Sequence, residues 1–345
     1  MGQSPDSSSY NADCEGLPFY QGNADFGETH PTPRIWCSEP KKVAEAGDIL
    51  ISVRAPVGAI NVADERCCIG RGLAAVRPSG SDISNAFLAL ILQSKRAYLD
   101  SMSTGSTFKA IGKKVLSLCE VPLYSHEVQN RIACQINGID DCLRSSRKLL
   151  SALDGLVKSQ FVEMFGNGAF PTFVLGERCR TASGGTPSKH HSEYYDNGTI
   201  PWLTSGEVGK GKIKKPSHYI TEAGLRNSSA KNVPPNTVVV AMYGATAGQI
   251  GIVEYETATN QAVCCIPPSK GLLPTYLRFA LENERRWLVG QCSGGAQPNI
   301  SQGIVRQVRI PDAPVARQRT FADFVAQVDK LGFSRLIPIN NQFLR

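Results

Sequence analysis

The chain is written twice. Gly47-Asp48-Ile49-Leu50-Ile51-Ser52-Val53 answers Asn236-Thr237-Val238-Val239-Val240-Ala241-Met242. Val121-Pro122 answers Ile310-Pro311 and Gln129 answers Gln318, each at a separation of 189 residues. Gly105-Ser106 with Gly294-Gly295, and Ile111 with Ile300, keep the same offset. A solenoid repeats every ~20–50 residues, so a shift this long marks a duplicated domain. Any fold must therefore hold two similar but unequal units, as the length of 345 residues also suggests.

The sequence between the repeats is of another kind. From His126 to about Phe165, Val128, Ile132, Ile136, Ile139, Leu143, Leu150, Leu153, Val157 and Phe161 recur at steps of three, four or seven. Arg131, Asp140, Arg147 and Lys158 fill the opposite face, which predicts a long amphipathic helix with coiled-coil spacing. Gly138 and Gly155 weaken it by roughly 1 kcal/mol each, and Gly166 with Asn167-Gly168 stops it. A second such run, with Phe321, Val325 and Val328, follows the second repeat and is expected to break at Gly332.

The expected organisation is a first repeat unit over 1–125, a spacer helix over 126–166, a second unit over 167–313, a closing helix over 314–332 and an irregular tail over 333–345. Each unit reads as strands, one helix, a small-residue loop and a closing strand: Val115–Pro122 in the first, Val305–Pro311 in the second. The helix of the first unit is predicted over Asn85–Asp100. The segment Phe173–Thr181 has no counterpart before Met1, so the chain is expected to start one element late. The fold class is α+β: mixed and antiparallel sheets with helices, the units held apart by an antiparallel pair of long helices.

No apolar run reaches the ~18 residues of a membrane span, and Met1 to Asn11 are polar, so a cytoplasmic location is expected. The 11 cysteines include the adjacent pairs Cys67-Cys68 and Cys264-Cys265, read as apolar filler in strands. Residues 1–125 carry 12 basic and 13 acidic side chains, whereas 167–313 carry 15 and 10. A nucleic-acid partner fits that basic second half, as does an ordinary basic surface.

Gly206 to Lys212 resembles a phosphate-binding loop, but Ile213 stands where magnesium needs a hydroxyl. Lys210, Lys212, Lys214, Lys215 and His218 instead form a basic stretch that either follows a phosphate backbone or is merely solvated. Two loops recur in both halves. One holds Arg54 in the first unit and Tyr243 in the second. The other holds Ser106, Thr107 and Lys109, matched by Gln297 and Asn299. Their amides, hydroxyls and charges suit phosphates or base edges, and turns that only close the fold are the alternative. His190-His191 lacks partners at ligand spacing, so no metal site is expected. No methyltransferase signature, nuclease carboxylate–lysine cluster, dinucleotide fingerprint or nucleophile elbow occurs, and the chain reads as a binder.

The order Gly184-Gly185-Thr186-Pro187-Ser188-Lys189, Ile200-Pro201-Trp202-Leu203, Ile220 to Leu225, Ser228-Ser229-Ala230-Lys231 and Thr259-Asn260-Gln261 resembles the target recognition domains of type I restriction-modification specificity subunits. Gly47–Val62 and Cys68–Pro78 carry the same resemblance in the first unit, and it extends over about residues 2–335. It implies that each target recognition domain reads half of a split, asymmetric DNA site. It implies also that the long helices act as ruler and as dock for two methyltransferase subunits, through Ile132, Ile136, Ile139, Leu143, Leu150, Leu153, Val157, Phe321, Val325 and Val328. The cofactors, S-adenosylmethionine, ATP and Mg2+, are then held by the methyltransferase and by a motor–nuclease restriction subunit, and this chain holds none and has no active site. A stand-alone DNA-cleaving enzyme with paired domains is the rival reading, and a truncated allele that folds without assembling is a third.

Overall fold

The structure, a computed structural model, describes residues 1–105, 109–166, 168–209, 211–213, 216–291 and 299–342, with side chains as far as 332. The chain divides into two compact units, Met1–Arg144 and Ser145–Arg345.

In the first unit, Ile49–Ser52 is the central strand of a three-stranded antiparallel sheet, with Ile49 opposite both Val62 and Val76. All four of its residues are buried. A five-stranded sheet lies beside it, in the order Tyr10–Asn11, Trp36–Cys37, Leu17–Tyr20, Cys67–Ile69, Val43–Ala44. Leu17–Tyr20 and Cys67–Ile69 run parallel and the other pairs antiparallel, so the sheet is mixed.

The second unit repeats this plan. Thr237–Ala241 lies between Ile250–Val253 and Val263–Ile266, both antiparallel to it. Ile200–Leu203 runs parallel to Thr257–Thr259, as its counterpart does in the first unit. Local geometry repeats as well. Gly47 (φ +88°) and Asn236 (φ +63°) both take the left-handed conformation that turns the chain into the central strand. A Cβ on Gly2 would overlap the carbonyl oxygen of Gly70, and one on Gly184 that of Thr259, so both positions need glycine.

The helices follow in the same order twice. The stretch predicted as one helix over Asn85–Asp100 is two, α1 (Asn85–Ser94) and α2 (Arg96–Ser101). The break falls at Lys95, whose ψ near 0° takes it out of the helix. The strand expected over Val115–Pro122 is instead a short helix, α3 (Lys113–Ser117), and an irregular segment outside any sheet. The spacer is one 40-residue helix, α4 (His126–Phe165). In the second unit α5 (Leu175–Arg178) and α6 (Glu222–Arg226) precede the counterparts of α1 and α2, namely α7 (Pro274–Asn283) and α8 (Arg285–Gly290). These two break at Glu284, the equivalent of Lys95. Val305 and Arg306, expected to begin the closing strand, instead end a short helix, α9 (Gln302–Arg306).

Only Arg309–Pro311 is strand there, and it pairs antiparallel with Thr172–Val174. That partner explains the difference between the halves. A strand needs a neighbour for its backbone groups, and none lies beside Val121-Pro122 among the described residues.

The closing helix α10 runs Val315–Gln342, past Gly332 and into the segment expected to be irregular, of which 343–345 lie outside the described residues. A mid-helix glycine costs only about 1 kcal/mol, and Gly332 rests against Leu150 and Leu153 of α4. At the other end of the same contact, Phe161 and Phe165 meet Phe321 with ring centroids 5.4 and 5.7 Å apart. Residue 321 thus faces 161–165 while 332 faces 150–153, so the two helices pack antiparallel within this unit. Their seam joins α7 in the main core, where Phe161 also contacts Tyr276 and Phe279.

Among the described residues ten cysteines are free thiols, and both adjacent pairs lie buried in strands as apolar filler. Burial raises their thiols, Cys67 to about 12 and Cys265 to about 11.

Candidate nucleic-acid interface

Each unit gathers three loops at the end of its central strand. In the first unit the chain leaves Ile49–Ser52 through Arg54, which forms an isolated β-bridge with Ala110. The Ala55 amide donates to the Lys109 carbonyl (3.0 Å) and the Ile111 amide to the Val53 carbonyl (2.9 Å). Arg54 and Lys109 are thereby brought together, both solvent-exposed, with Lys109 3.8 Å from Asp100. A small cleft of about 450 Å3 is lined by Gln21, Asn23 and Asp25 together with Ala55 and Pro56, which follow Arg54. Asp25 holds its own turn by accepting from the amides of Gln21 (2.7 Å) and Gly22 (3.3 Å).

The second unit builds the same arrangement with other side chains. Tyr243 bridges Asn299, and the Ile300 amide donates to the Met242 carbonyl (2.8 Å). A 3-10 turn over Ser205–Glu207 faces another over Gly244–Thr246, tied by Thr246 Oγ1 donating to the Ser205 carbonyl (2.9 Å). Glu207 fixes the first turn. It accepts from the Thr204 amide and hydroxyl (2.9 Å each) and from the Ser217 amide (2.6 Å). Burial pushes this carboxyl up, but the hydrogen bonds together outweigh it and hold it below the ordinary glutamate value.

Of the expected basic stretch, Lys212 lies on the edge strand Gly211–Ile213, with its ammonium 3.0 Å from Glu254. Lys210, Lys214, Lys215, Ser106, Thr107 and Gln297 lie outside the described residues. His218 follows Ser217, whose amide is bound by Glu207. It borders a cleft of about 890 Å3 with Lys189, Tyr195, Asn197, Trp202 and Asn260. Its ring meets Trp202 edge-on at 6.3 Å. Trp202 and Asn260 entered the sequence reading only as family landmarks, and their joint position in a cleft carries no local sequence signal.

The helix residues expected to dock partners fall into three groups. Val157, Phe321, Val325 and Val328 are buried in their own unit's core. Ile132, Ile139 and Leu153 are half-buried, and Ile136, Leu143 and Leu150 are exposed along α4.

Exposed guanidinium, ammonium, amide and phenol groups, on loops pinned by backbone hydrogen bonds, can donate to phosphates and base edges. The sets differ between the units, Arg54 and Lys109 in one and Tyr243 and Asn299 in the other. Two such surfaces present unlike chemistry on like scaffolds.

Comparison with known proteins agrees with this duplicated plan. A putative type I restriction enzyme specificity subunit (MjaX) of Methanocaldococcus jannaschii is 45% identical over 148 residues, 43% of this chain and 35% of that protein. The EcoR124I/EcoR124II specificity subunit of Escherichia coli is 23% identical over 172 residues, 48% of this chain and 43% of that one. The alignments thus span between about a third and half of these relatives' own lengths. The fold is that of the crystal structure of a type I restriction-modification S subunit from M. genitalium, with TM-score 0.60 at 15% identity over 98% of this chain and 88% of that one. A chain from a structural study of the assembly and conformational transition of the type I R-M system gives TM-score 0.55 at 17% identity, over 93% and 87%. The sequence profile of the type I restriction modification DNA specificity domain matches residues 31–154 and again 169–337. One match per structural unit, together covering most of the chain, makes this protein a member of the type I restriction-modification DNA specificity domain family, carrying that domain twice.

Proposed function

We propose that the chain is the sequence-reading subunit of a type I restriction-modification complex, and that it binds double-stranded DNA with both units at once. The observation that carries this reading is the double match to the specificity domain, one copy in each unit. The three-loop ends supply the contacts, Arg54 and Lys109 on one half-site and Tyr243, Asn299 and Lys212 on the other. Because the two sets are unlike, the two half-sites are unlike, and the target is split and asymmetric. Two units in one chain thereby do what a symmetric dimer does on a palindrome.

The spacer supplies the ruler. At ~1.5 Å per residue, a helix of 40 residues reaches about 60 Å, between one and two turns of DNA at about 34 Å each. The exposed Ile136, Leu143 and Leu150 on α4 are the surface proposed for docking methyltransferase subunits, two per complex. In this reading those subunits use S-adenosylmethionine to methylate adenine, and a restriction subunit uses ATP and Mg2+ to move and cut DNA. This chain contributes recognition and no catalytic group. Co-expression with its methyltransferase, followed by methylome sequencing, tests the reading. A split motif that needs this chain is expected, and its absence from an assembled complex would refute the proposal.

A further inference from the structure

Gln129 and Gln318 sit at equivalent positions in the two repeats, each in the first turn of a long helix. Both are buried, with 0% and 1% of their surface exposed. The Gln129 carbonyl oxygen accepts from the Ser84 amide (2.8 Å), and its amide nitrogen donates to the carbonyls of Asp82 (2.7 Å) and Tyr124 (2.8 Å). The Gln318 carbonyl oxygen accepts from the Leu273 amide (2.9 Å), and its nitrogen donates to the carbonyls of Gly271 (3.0 Å) and Ala313 (2.8 Å).

Each partner in one set is the repeat-equivalent of a partner in the other. Ser84 and Leu273 are the N-cap residues of α1 and α7. One side chain thus joins three pieces of backbone: the start of the long helix, the loop leading into it, and the segment that caps the helix packed on the sheets. A primary amide is the side chain that offers both an acceptor and two donors at this reach without charge.

We propose that Gln129 and Gln318 are positioning residues that set the angle at which each recognition unit stands on its long helix, and so set the half-site spacing that the chain accepts. This rests on the DNA-reading proposal above. Adding one base pair between half-sites moves the second by about 3.4 Å and rotates it by about a tenth of a turn. A unit held at a fixed angle rejects that displacement, and a unit released at its joint follows it.

The two joints are unequal. In the second unit Tyr276 also donates to the Pro311 carbonyl (2.6 Å), and Arg309–Pro311 is paired with Thr172–Val174. In the first unit Phe87 takes the place of Tyr276 and offers no hydroxyl. Release of Gln129 therefore loosens its unit more than release of Gln318.

The test uses the full chain assembled with its methyltransferase on synthetic duplexes. These carry the native target at its own spacing, or with one base pair more or one less. Gln129→Met and Gln318→Met keep the length of the side chain and remove all three hydrogen bonds. Preference for the native spacing is expected to fall about tenfold in Q129M and less in Q318M, with each half-site sequence still required. Q318M retains the strand pair and the Tyr276 bond, so it carries the test if Q129M does not fold. A uniform loss of rate at all three spacings, with the preference intact, would overturn the proposal and leave the glutamines a purely structural role. If the unaltered chain with its methyltransferase modifies no split site, the DNA-reading proposal itself fails, and it fails before any variant is compared.

Discussion

Asp48 illustrates how single residues hold a unit together. Its carboxylate is buried and receives a bidentate pair from Arg77, with Nε–Oδ1 at 2.5 Å and the second bond at 2.8 Å. Burial raises the carboxyl, but Arg77 and the Glu45 amide together bring it below the ordinary aspartate value. Because Arg77 is itself largely exposed, the pair is worth less than a fully buried one. Asp48→Ala is expected to cost about 2 kcal/mol, read as a shift in the denaturant midpoint. Glu207 in the second unit is held down in the same direction. The sign follows from linkage. A carboxyl whose folded pKa is depressed contributes stability above its unfolded value, about 3.9 for Asp and 4.3 for Glu, and loses it as pH falls through the folded value. Thermal melts should therefore show stability falling as pH drops below about 5, and Glu207→Gln should flatten part of that slope. A slope identical in E207Q would remove Glu207 from the account. Asp48 could be read from sequence only as the start of a strand. Its partner lies 29 residues away, and no periodicity announces such a pair.

At the scale of elements, the seam between α4 and α10 rests on Phe161, which touches Phe165, Tyr276, Phe279 and Phe321. Phe161→Ala is expected to destabilise the second unit by about 3–5 kcal/mol, measured by chemical denaturation. Gly332 tests the other end. It is helical, and an added Cβ would meet Leu150 at an ordinary contact distance of 3.6 Å. Gly332→Ala should raise stability by up to about 1 kcal/mol, whereas a loss would mean that the helix stops there. The long helices were legible in the sequence because a seven-residue apolar stripe of such length has few other uses. The continuation of α10 past Gly332 was not, since glycine ends a helix only where the backbone turns left-handed, and neighbours decide that. Val121-Pro122 was read as the end of a strand, as Ile310-Pro311 was. Only the latter has Thr172–Val174 beside it, and a strand is a property of two segments, whereas periodicity describes one.

At the scale of the whole molecule, the duplication was legible from a constant offset, and it brought with it the family and the doubled plan. The interface was legible in part. The repeated loops pointed to Arg54, Lys109, Tyr243 and Asn299, and the structure brings each pair together through a backbone bridge. Contacts to phosphate carry a signature in salt. Arg54→Ala and, separately, Lys212→Ala should each flatten the slope of log affinity against log salt concentration by about 1. A slope unchanged in either variant takes that residue off the DNA. The central claim, that two unlike units on one chain read one split sequence, is tested most directly by the methylome of a host expressing this chain with its methyltransferase. One motif of two unlike half-sites at a constant spacing is expected, absent when this chain is omitted. A continuous motif, a palindrome, or the same methylation without this chain would contradict it.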